Sequence, residues 1–470
     1  MFFNSLLFVA SLIVFNLLYH FQGQLLKRWL LIIAGIGFAW SFSGYDAFFL
    51  VAAFLLNQAF ILLGASFSKK WLTVGIVANI LALFVWKYSW FTYTIFAPEA
   101  DKLSHPWLNF VVPVGISYYV FRAIGNLIDI RNGVYKPENS WLNAAVYFFY
   151  FPIFLQGPVE RARTFIPQLN ENAVFSWANL QKGIEYFLSG LFLKVVIADR
   201  LGVFVNDVFG SVEDYSSGAV FLSVVFYAVQ LFADFGGYTR MAIGISTCFG
   251  IRLMANFNRP YFATSITDFW RRWHISFSSW LNEYLYSSLS FSFRNLQQMG
   301  AVLAVILTFL VSGIWHGVGV PFIIWGLWHG IGLSVEILSR KKRKKWANKF
   351  GKKTWNFLGG VTTILFVLAG YVFFRSESLA KAVQVYRQIF SFSSGKFIGD
   401  DFDARFNLAT GALLAILFLI SDYFNDKNKL QLYLESRVFT KRLAWCLILL
   451  LGIVFFGMYL VPATFLYFQF

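Results

Sequence analysis

Residues 301–335 read AVLAVILTFLVSGIWHGVGVPFIIWGLWHGIGLSV, without one Asp, Glu, Lys or Arg. About 20 apolar residues at about 1.5 Å each cross a hydrocarbon core of about 30 Å, so this stretch predicts two spans, Ala301 to Val318 and Pro321 to Leu338. The same pattern extends in both directions. Candidate spans are Phe2 to Tyr19, Trp29 to Ser43, Ala47 to Phe67, Leu72 to Ile95 and Leu108 to Ala123, then Phe357 to Phe374, Asn407 to Asp422 and Leu443 to Val461. Hydrophobic residues make up 58% of the 470 and charged residues 13%, with mean hydropathy +0.62. A soluble domain carries about 25% charged residues, so the surplus apolar surface needs lipid. The expectation is an all-α, polytopic integral membrane protein with about a dozen membrane helices, forming one domain over residues 1–470.

The formal net charge of +16 does not require nucleic acid. Basic residues fall mainly in short connections, as the positive-inside rule demands. Lys27, Arg28, Lys69 and Lys70 mark one side, and the loops at Ser43 to Asp46 and Pro98 to Pro106 mark the other, which places the N-terminus outside. The opening segment has no basic leader region and no small-residue cleavage site, so it is expected to be a retained span. Arg340 to Lys345 with Lys349, Lys352 and Lys353 gives nine basic residues and no acidic one, read as a cytoplasmic loop near anionic headgroups. Cys248 and Cys446 lie in apolar stretches without CxxC spacing, which argues against a disulfide framework or a zinc site.

The middle of the chain is apolar but interrupted. Trp141 to Pro158, Leu180 to Val205 and Ala219 to Phe249 contain Pro152, Pro158, Gly236 and Gly237, with charges at Asp199, Arg200, Asp234 and Arg240. Helices here are predicted to kink or stop inside the membrane, around a cavity that satisfies the backbone.

Ionisable groups in such surroundings mark candidate chemistry. His316 stands in Ser312-Gly313-Ile314-Trp315-His316-Gly317 and His329 in Trp328-His329-Gly330. A desolvated imidazole stays neutral and accepts a proton near pH 7, which suits a general base. The bland alternative is a hydrogen bond between helices, and it weighs more at His329. Ser312, four residues before His316, also permits Ser/His nucleophilic catalysis, against simple close packing. A second group runs from Asp268 through His274 to Tyr286. On one continuous helix, Trp270, Trp273, His274, Phe277, Leu281 and Tyr284 share a face opposite Arg272, Ser276, Ser279 and Glu283, with Thr267 or Asp268 as cap. His274 then projects with aromatic rings, either as a catalytic partner or as the polar tip of an aromatic belt. Asp234 is a buried-looking charge that Arg240, Arg271 or Arg272 could pair. No metal spacing, Walker-type loop or GxGxxG fingerprint is present.

These residues resemble the membrane-bound O-acyltransferase family, in its bacterial alginate O-acetyltransferase-like branch. The likeness rests on Val112-Pro113-Val114-Gly115-Ile116-Ser117-Tyr118, Gly157-Pro158-Val159-Glu160-Arg161, Asn256-Phe257-Asn258-Arg259-Pro260-Tyr261, Thr264 to Ser276, Trp315-His316-Gly317 and Tyr467-Phe468-Gln469-Phe470. The sequence departs from the family pattern at Asn282-Glu283, where Arg-Asp is usual, and at Arg240, where an acidic residue is usual; both histidines stand. The resemblance implies His316 as principal catalytic histidine and His274 as the second. It also implies membrane helices around a central tunnel with short tilted or re-entrant helices. A cytoplasmic acyl thioester donor, acetyl-coenzyme A or an acyl carrier, is expected as substrate, with no tightly bound cofactor and no metal. The expected partners are the bilayer, a polysaccharide acceptor and an extracytoplasmic polysaccharide-acetylating protein. The expected location is the bacterial cytoplasmic membrane. Asp234 and Arg272 are candidates for supporting the histidines. Rival readings are D-alanyl transfer to teichoic acid and, from another class, a transporter or flippase of an acylated lipid or saccharide.

Overall fold

The computed structural model describes residues 2–97, 111–137, 140–171, 175–398, 402–424, 439–458 and Leu466. The predicted loop Pro98 to Pro106, His105 and the terminal Tyr467 to Phe470 lie outside these residues. Two compact units emerge, residues 1–187 with 238–254 and residues 188–237 with 255–470.

In the first unit, α1 (Leu6–His20), α2 (Gln24–Trp40), α3 (Gly44–Ser66) and α4 (Lys70–Phe96) follow in close succession. Ser5 and Ser43 cap α1 and α3, each accepting from a backbone N–H three residues on. Asn57 and Asn79 exchange amide hydrogen bonds of 2.9 and 3.3 Å between α3 and α4, which satisfies both in an apolar setting. The next helix corrects the predicted span at Leu108 to Ala123. Residues 111–115 are not helical, Gly115 is left-handed at φ 77°, and α5 runs Ile116–Arg131. It continues past Ala123 because its charges find partners: Arg122 donates to the carbonyls of Tyr147 and Phe148, and Asp129 pairs with Arg163 at 2.8 Å. Helix α6 (Trp141–Phe149) stops before Pro152, and a 3-10 turn at Phe151–Ile153 leads to α7 (Ala162–Phe165). This predicted irregular stretch is buried from Ala145 to Ala162, so protein groups surround its open backbone.

Helix α8 (Trp177–Phe192) carries the chain into the second unit, where a π-helical segment at Leu193–Ala198 joins it to α9 (Asp199–Gly210). Helix α10 (Ser217–Cys248) is unbroken for 32 residues, against the break predicted at Gly236-Gly237. Packing, not flexibility, explains Gly237: a Cβ there would lie 2.7 Å from the Gly190 carbonyl oxygen. After α11 (Ile266–Arg272), α12 (Ile275–Trp280), a π segment at Leu281–Tyr286 and α13 (Ser287–Ser292) come α14 (Gln297–His316) and α15 (Val320–Phe350). Glycines let α14 and α15 touch: a Cβ at Gly313 would meet the Phe322 carbonyl at 2.3 Å, and one at Gly326 the Phe309 carbonyl at 2.4 Å. The predicted basic loop is helical instead. Helix α15 runs through Arg340 to Lys349, because Lys and Arg are good helix formers and no breaker intervenes before Gly351. Then follow α16 (Lys352–Arg375), α17 (Leu379–Phe390), α18 (Phe402–Phe424) and α19 (Phe439–Phe456).

Among the described residues six helices are long and apolar enough to cross a membrane, α3, α4, α10, α14, α15 and α16, and three shorter apolar helices lie at Leu6–His20, Ala404–Ile420 and Arg442–Phe456. Among the described residues the only bridge of strand type joins Tyr215 to Lys396. Large apolar side chains such as Leu7, Ile13, Leu17, Ile331, Val335 and Leu338 are more than half exposed, a surface that lipid covers. The all-helical, multi-pass membrane fold stands.

Candidate active site

His274 lies at a break in the chain, not on the predicted continuous helix. Helix α11 ends at Arg272, Trp273 is extended, and His274 is left-handed at φ 45°, ψ 51°, capping α12. The break is built by the neighbouring Asn256-Phe257-Asn258. Ile275 N–H donates to the Asn256 carbonyl at 2.8 Å, Ser276 donates to the Asn256 side chain, and Asn258 N–H donates to the Arg272 carbonyl. A left-handed non-glycine residue costs about 1–2 kcal/mol, a strain that persists where the surroundings fix it. Ser265, rather than Thr267 or Asp268, caps α11 by accepting from Asp268 N–H. Glu336 of α15 accepts from the N–H groups of Ile266 and Thr267. The predicted aromatic face survives the break: Trp270, Trp273, His274, Phe277, Leu281 and Tyr284 are all buried.

The His274 ring is fully buried between Phe235, whose ring is 4.6 Å away edge-on, and Phe277, stacked at 4.8 Å. Neither of its nitrogens has a hydrogen-bond partner among the described residues. Burial pushes its pKa down to about 3, so it is neutral near pH 7 and carries one N–H donor and one acceptor.

His316 ends α14, where Gly317 turns extended. That glycine is required for space, because a Cβ there would lie 2.2 Å from the Phe322 ring. Four rings enclose the imidazole: Trp315 at 4.7 Å, Trp325 at 4.9 Å, Phe374 at 5.2 Å and Phe277 at 5.7 Å. Phe277 and Trp315 also touch His274. The fold therefore brings the two predicted histidines within two ring contacts of each other.

His329, for which the sequence favoured a hydrogen bond between helices, belongs to the same cluster. It is fully buried, its Nδ1 accepts from Trp270 Nε1 at 3.3 Å, and its ring lies 5.0 Å from Trp325. The supporting residues fall elsewhere. Arg272 pairs with Asp268 at 2.8 Å. Asp234 pairs with Lys194 at 2.7 Å and accepts from Leu466 N–H at 3.0 Å. Lys194, which also meets Asp199 at 2.7 Å, escapes the sequence reading although it is a lone cation in an apolar run. Asp234 reaches the histidines only through its neighbour Phe235.

A cavity of about 570 Å³ lies among α11, α12, α14 and α15. Thr267, Arg271, Ser278, Asn282 and Thr308 give its lining polar groups, and Trp270, Phe309, Leu333 and Ile337 are among its apolar ones. Thr308, Ser312 and His316 follow at four-residue spacing, so they share one face of α14 over about 12 Å. Among the described residues no three His, Cys, Asp or Glu side chains converge to hold a metal ion.

Comparison with known proteins gives the family. The sequence model of the membrane-bound O-acyltransferase family matches residues 138–380, which contain all three clustered histidines. Over 409 residues the chain is 34% identical to a probable alginate O-acetylase of Pseudomonas syringae, covering 83% of this chain and 76% of that protein. The chain belongs to the membrane-bound O-acyltransferase family. Other related proteins differ in acceptor and in acyl group. A peptidoglycan O-acetyltransferase of Helicobacter pylori is 29% identical over 448 residues, covering 86% of this chain and 83% of that protein. A teichoic acid D-alanyltransferase of Bacillus subtilis is 29% identical over 346 residues, 71% of this chain and 82% of that protein. This membrane-bound O-acyltransferase is an acyl-transferring enzyme, and the multi-pass fold places its histidine cluster among apolar helices.

Proposed function

We propose that this enzyme moves an acetyl group from a cytoplasmic thioester, acetyl-coenzyme A or an acyl carrier, to a hydroxyl on a cell-surface polysaccharide or on an extracytoplasmic protein that passes it on. The convergence of His274 and His316 on Phe277 and Trp315 carries this reading. The bacterial cytoplasmic membrane is the proposed location, with the N-terminus outside, in keeping with basic residues at Lys27, Arg28, Lys69, Lys70 and 340–353 on the other face.

The cavity suits the donor. It reaches Ile337, three residues before the basic run, and its mixed lining with Arg271 matches the amide-rich arm of a thioester carrier. His316 takes the proton of the acceptor hydroxyl as the oxygen attacks the thioester carbonyl carbon. The carbonyl pair moves onto its oxygen, then returns as the carbon–sulfur bond breaks, and the thiolate leaves with the proton from His316. His274, neutral and caged by rings, donates to the acceptor or to the developing oxyanion. The thioester supplies the driving force, so the reaction needs no resident cofactor.

Mass spectrometry of surface glycans tests this, comparing cells whose only copy is wild type with cells carrying His316→Ala or His316→Gln. The expected result is loss of one acetyl modification by at least about 100-fold with normal protein in the membrane. Full modification by a folded His316 variant would sink the mechanism. Loss of an aminoacyl group instead would select D-alanyl transfer, which the Bacillus relative keeps in view.

A further inference from the structure

Buried polar atoms without a hydrogen-bond partner are few in native proteins, and each calls for a reason. Around His316, Ser312 Oγ, Trp325 Nε1, His329 Nε2 and both nitrogens of His274 have no partner among the described residues. Trp325 is the one whose chemistry is unambiguous, because an indole N–H only donates. It is 2% exposed and its ring stands edge-on to His316 at 4.9 Å. Neighbouring indoles are treated differently. Trp270 Nε1 donates to His329, and Trp328 Nε1, three residues along the same helix, donates to the Phe366 carbonyl at 3.0 Å. A donor beside the candidate base with no partner among the described residues, where Trp270 and Trp328 are both satisfied, is held for something that is not part of the chain.

We propose that Trp325 Nε1–H donates a hydrogen bond to the carbonyl oxygen of the acyl thioester and strengthens it as that oxygen becomes an oxyanion. The inference rests on His316 acting as the base. As the acceptor oxygen attacks, its proton passes to His316 and the carbonyl electron pair moves onto the oxygen facing Trp325. When the pair returns, the carbon–sulfur bond breaks and the thiolate takes the proton from His316. The indole keeps its own proton throughout. Trp325 is held for this by rings on several sides, His329 at 5.0 Å, Phe374 at 5.2 Å and Trp270 at 5.9 Å, so the donor is fixed before the charge develops.

The test measures the rate of glycan acylation per folded enzyme in cells carrying full-length variants as the only copy. Trp325→Phe keeps a ring and removes the N–H; its rate should fall about 100-fold or more, the usual effect of removing one oxyanion donor. Trp325→Tyr restores a donor on a ring and should exceed the Phe variant at least tenfold. Trp328→Phe, which loses a bond already satisfied within the chain, should stay within threefold of wild type. Detergent melting of each purified variant corrects for misfolding. The proposal is overturned if Trp325→Phe keeps more than a third of the wild-type rate, if the Phe and Tyr variants are equally inactive, or if Trp328→Phe loses as much. An active His316→Gln enzyme would instead overturn the base assignment, whatever the Trp325 variants do.

Discussion

Lys194, Asp199 and Asp234 belong to the same compact unit as His274, His316 and His329, and the two groups are handled in opposite ways. Lys194 meets each carboxylate at 2.7 Å, and the remaining oxygen of Asp234 takes the Leu466 N–H. In the histidine cluster Trp270 donates to His329, while rings wall in both His274 nitrogens, Ser312 Oγ, Trp325 Nε1 and His329 Nε2, which have no hydrogen-bond partner among the described residues. Desolvating a polar group without a partner costs about 1–3 kcal/mol, so a fold that pairs its ions so fully gains nothing structural by leaving these atoms bare. The difference fits the proposed site: pairing marks the ions that tie the π-helical segment, α9 and α10 together, and its absence marks the place where we propose that a ligand completes the bonds.

The sharpest way to break this comparison is Lys194→Met. It leaves two carboxylates buried against each other, and breaking a buried ion pair costs about 3–5 kcal/mol. The expected outcome is little folded protein in membranes and early melting in detergent. Asp234→Asn should do much less, because Asn still accepts from Leu466 N–H and the Lys194–Asp199 pair remains balanced. A Lys194→Met protein that melts like wild type would show that the paired cluster does not hold the fold.

The next effect in size belongs to His274 and separates chemistry from architecture. Asn tolerates the left-handed backbone that the position requires, so His274→Asn should fold while transfer falls about 100-fold. Its pKa is lowered to about 3, so the imidazole charges only below that value and does not titrate between pH 5 and 8. The pH–rate profile of His274→Asn should therefore parallel that of wild type over this range. A profile whose acid limb disappears in the variant would contradict a permanently neutral His274.

What sequence could and could not reveal follows the same division. Apolar runs of span length, as in residues 301–335, fix helices whatever they pack against, and α14 and α15 appear where they are predicted. The histidines were legible because an imidazole in an uncharged run is conspicuous. Features that depend on a distant partner were not. Helix α5 outlasts its predicted end, where Arg163 satisfies Asp129, and nothing near Asp129 in sequence announces that partner. Gly236-Gly237 reads as a break until Gly190 is seen against it. The turn at His274 is set by Asn256, eighteen residues earlier, so periodicity alone ran one helix through it.

The smallest expected effect sharpens the comparison most finely, because Ser312 belongs to both sides of it. It lies four residues before His316 on the same helix face, which permits a serine nucleophile and an acyl-enzyme. An activated serine is held by its base at about 2.6–3.2 Å, yet Ser312 Oγ has no hydrogen-bond partner among the described residues. Its place is at a close helix contact, beside Gly313, where a larger side chain would strike α15. Direct transfer between donor and acceptor then leaves Ser312 at most one neutral hydrogen bond to the ligand. Such a bond contributes about 0.5–1.5 kcal/mol, so Ser312→Ala should slow glycan acylation by no more than about tenfold and should fold normally. Peptide mass spectrometry of enzyme quenched during turnover should find no acyl group on Ser312. An acylated Ser312, or a loss as deep as that of His316→Ala, would put a covalent intermediate on α14 and make the open hydroxyl the nucleophile itself.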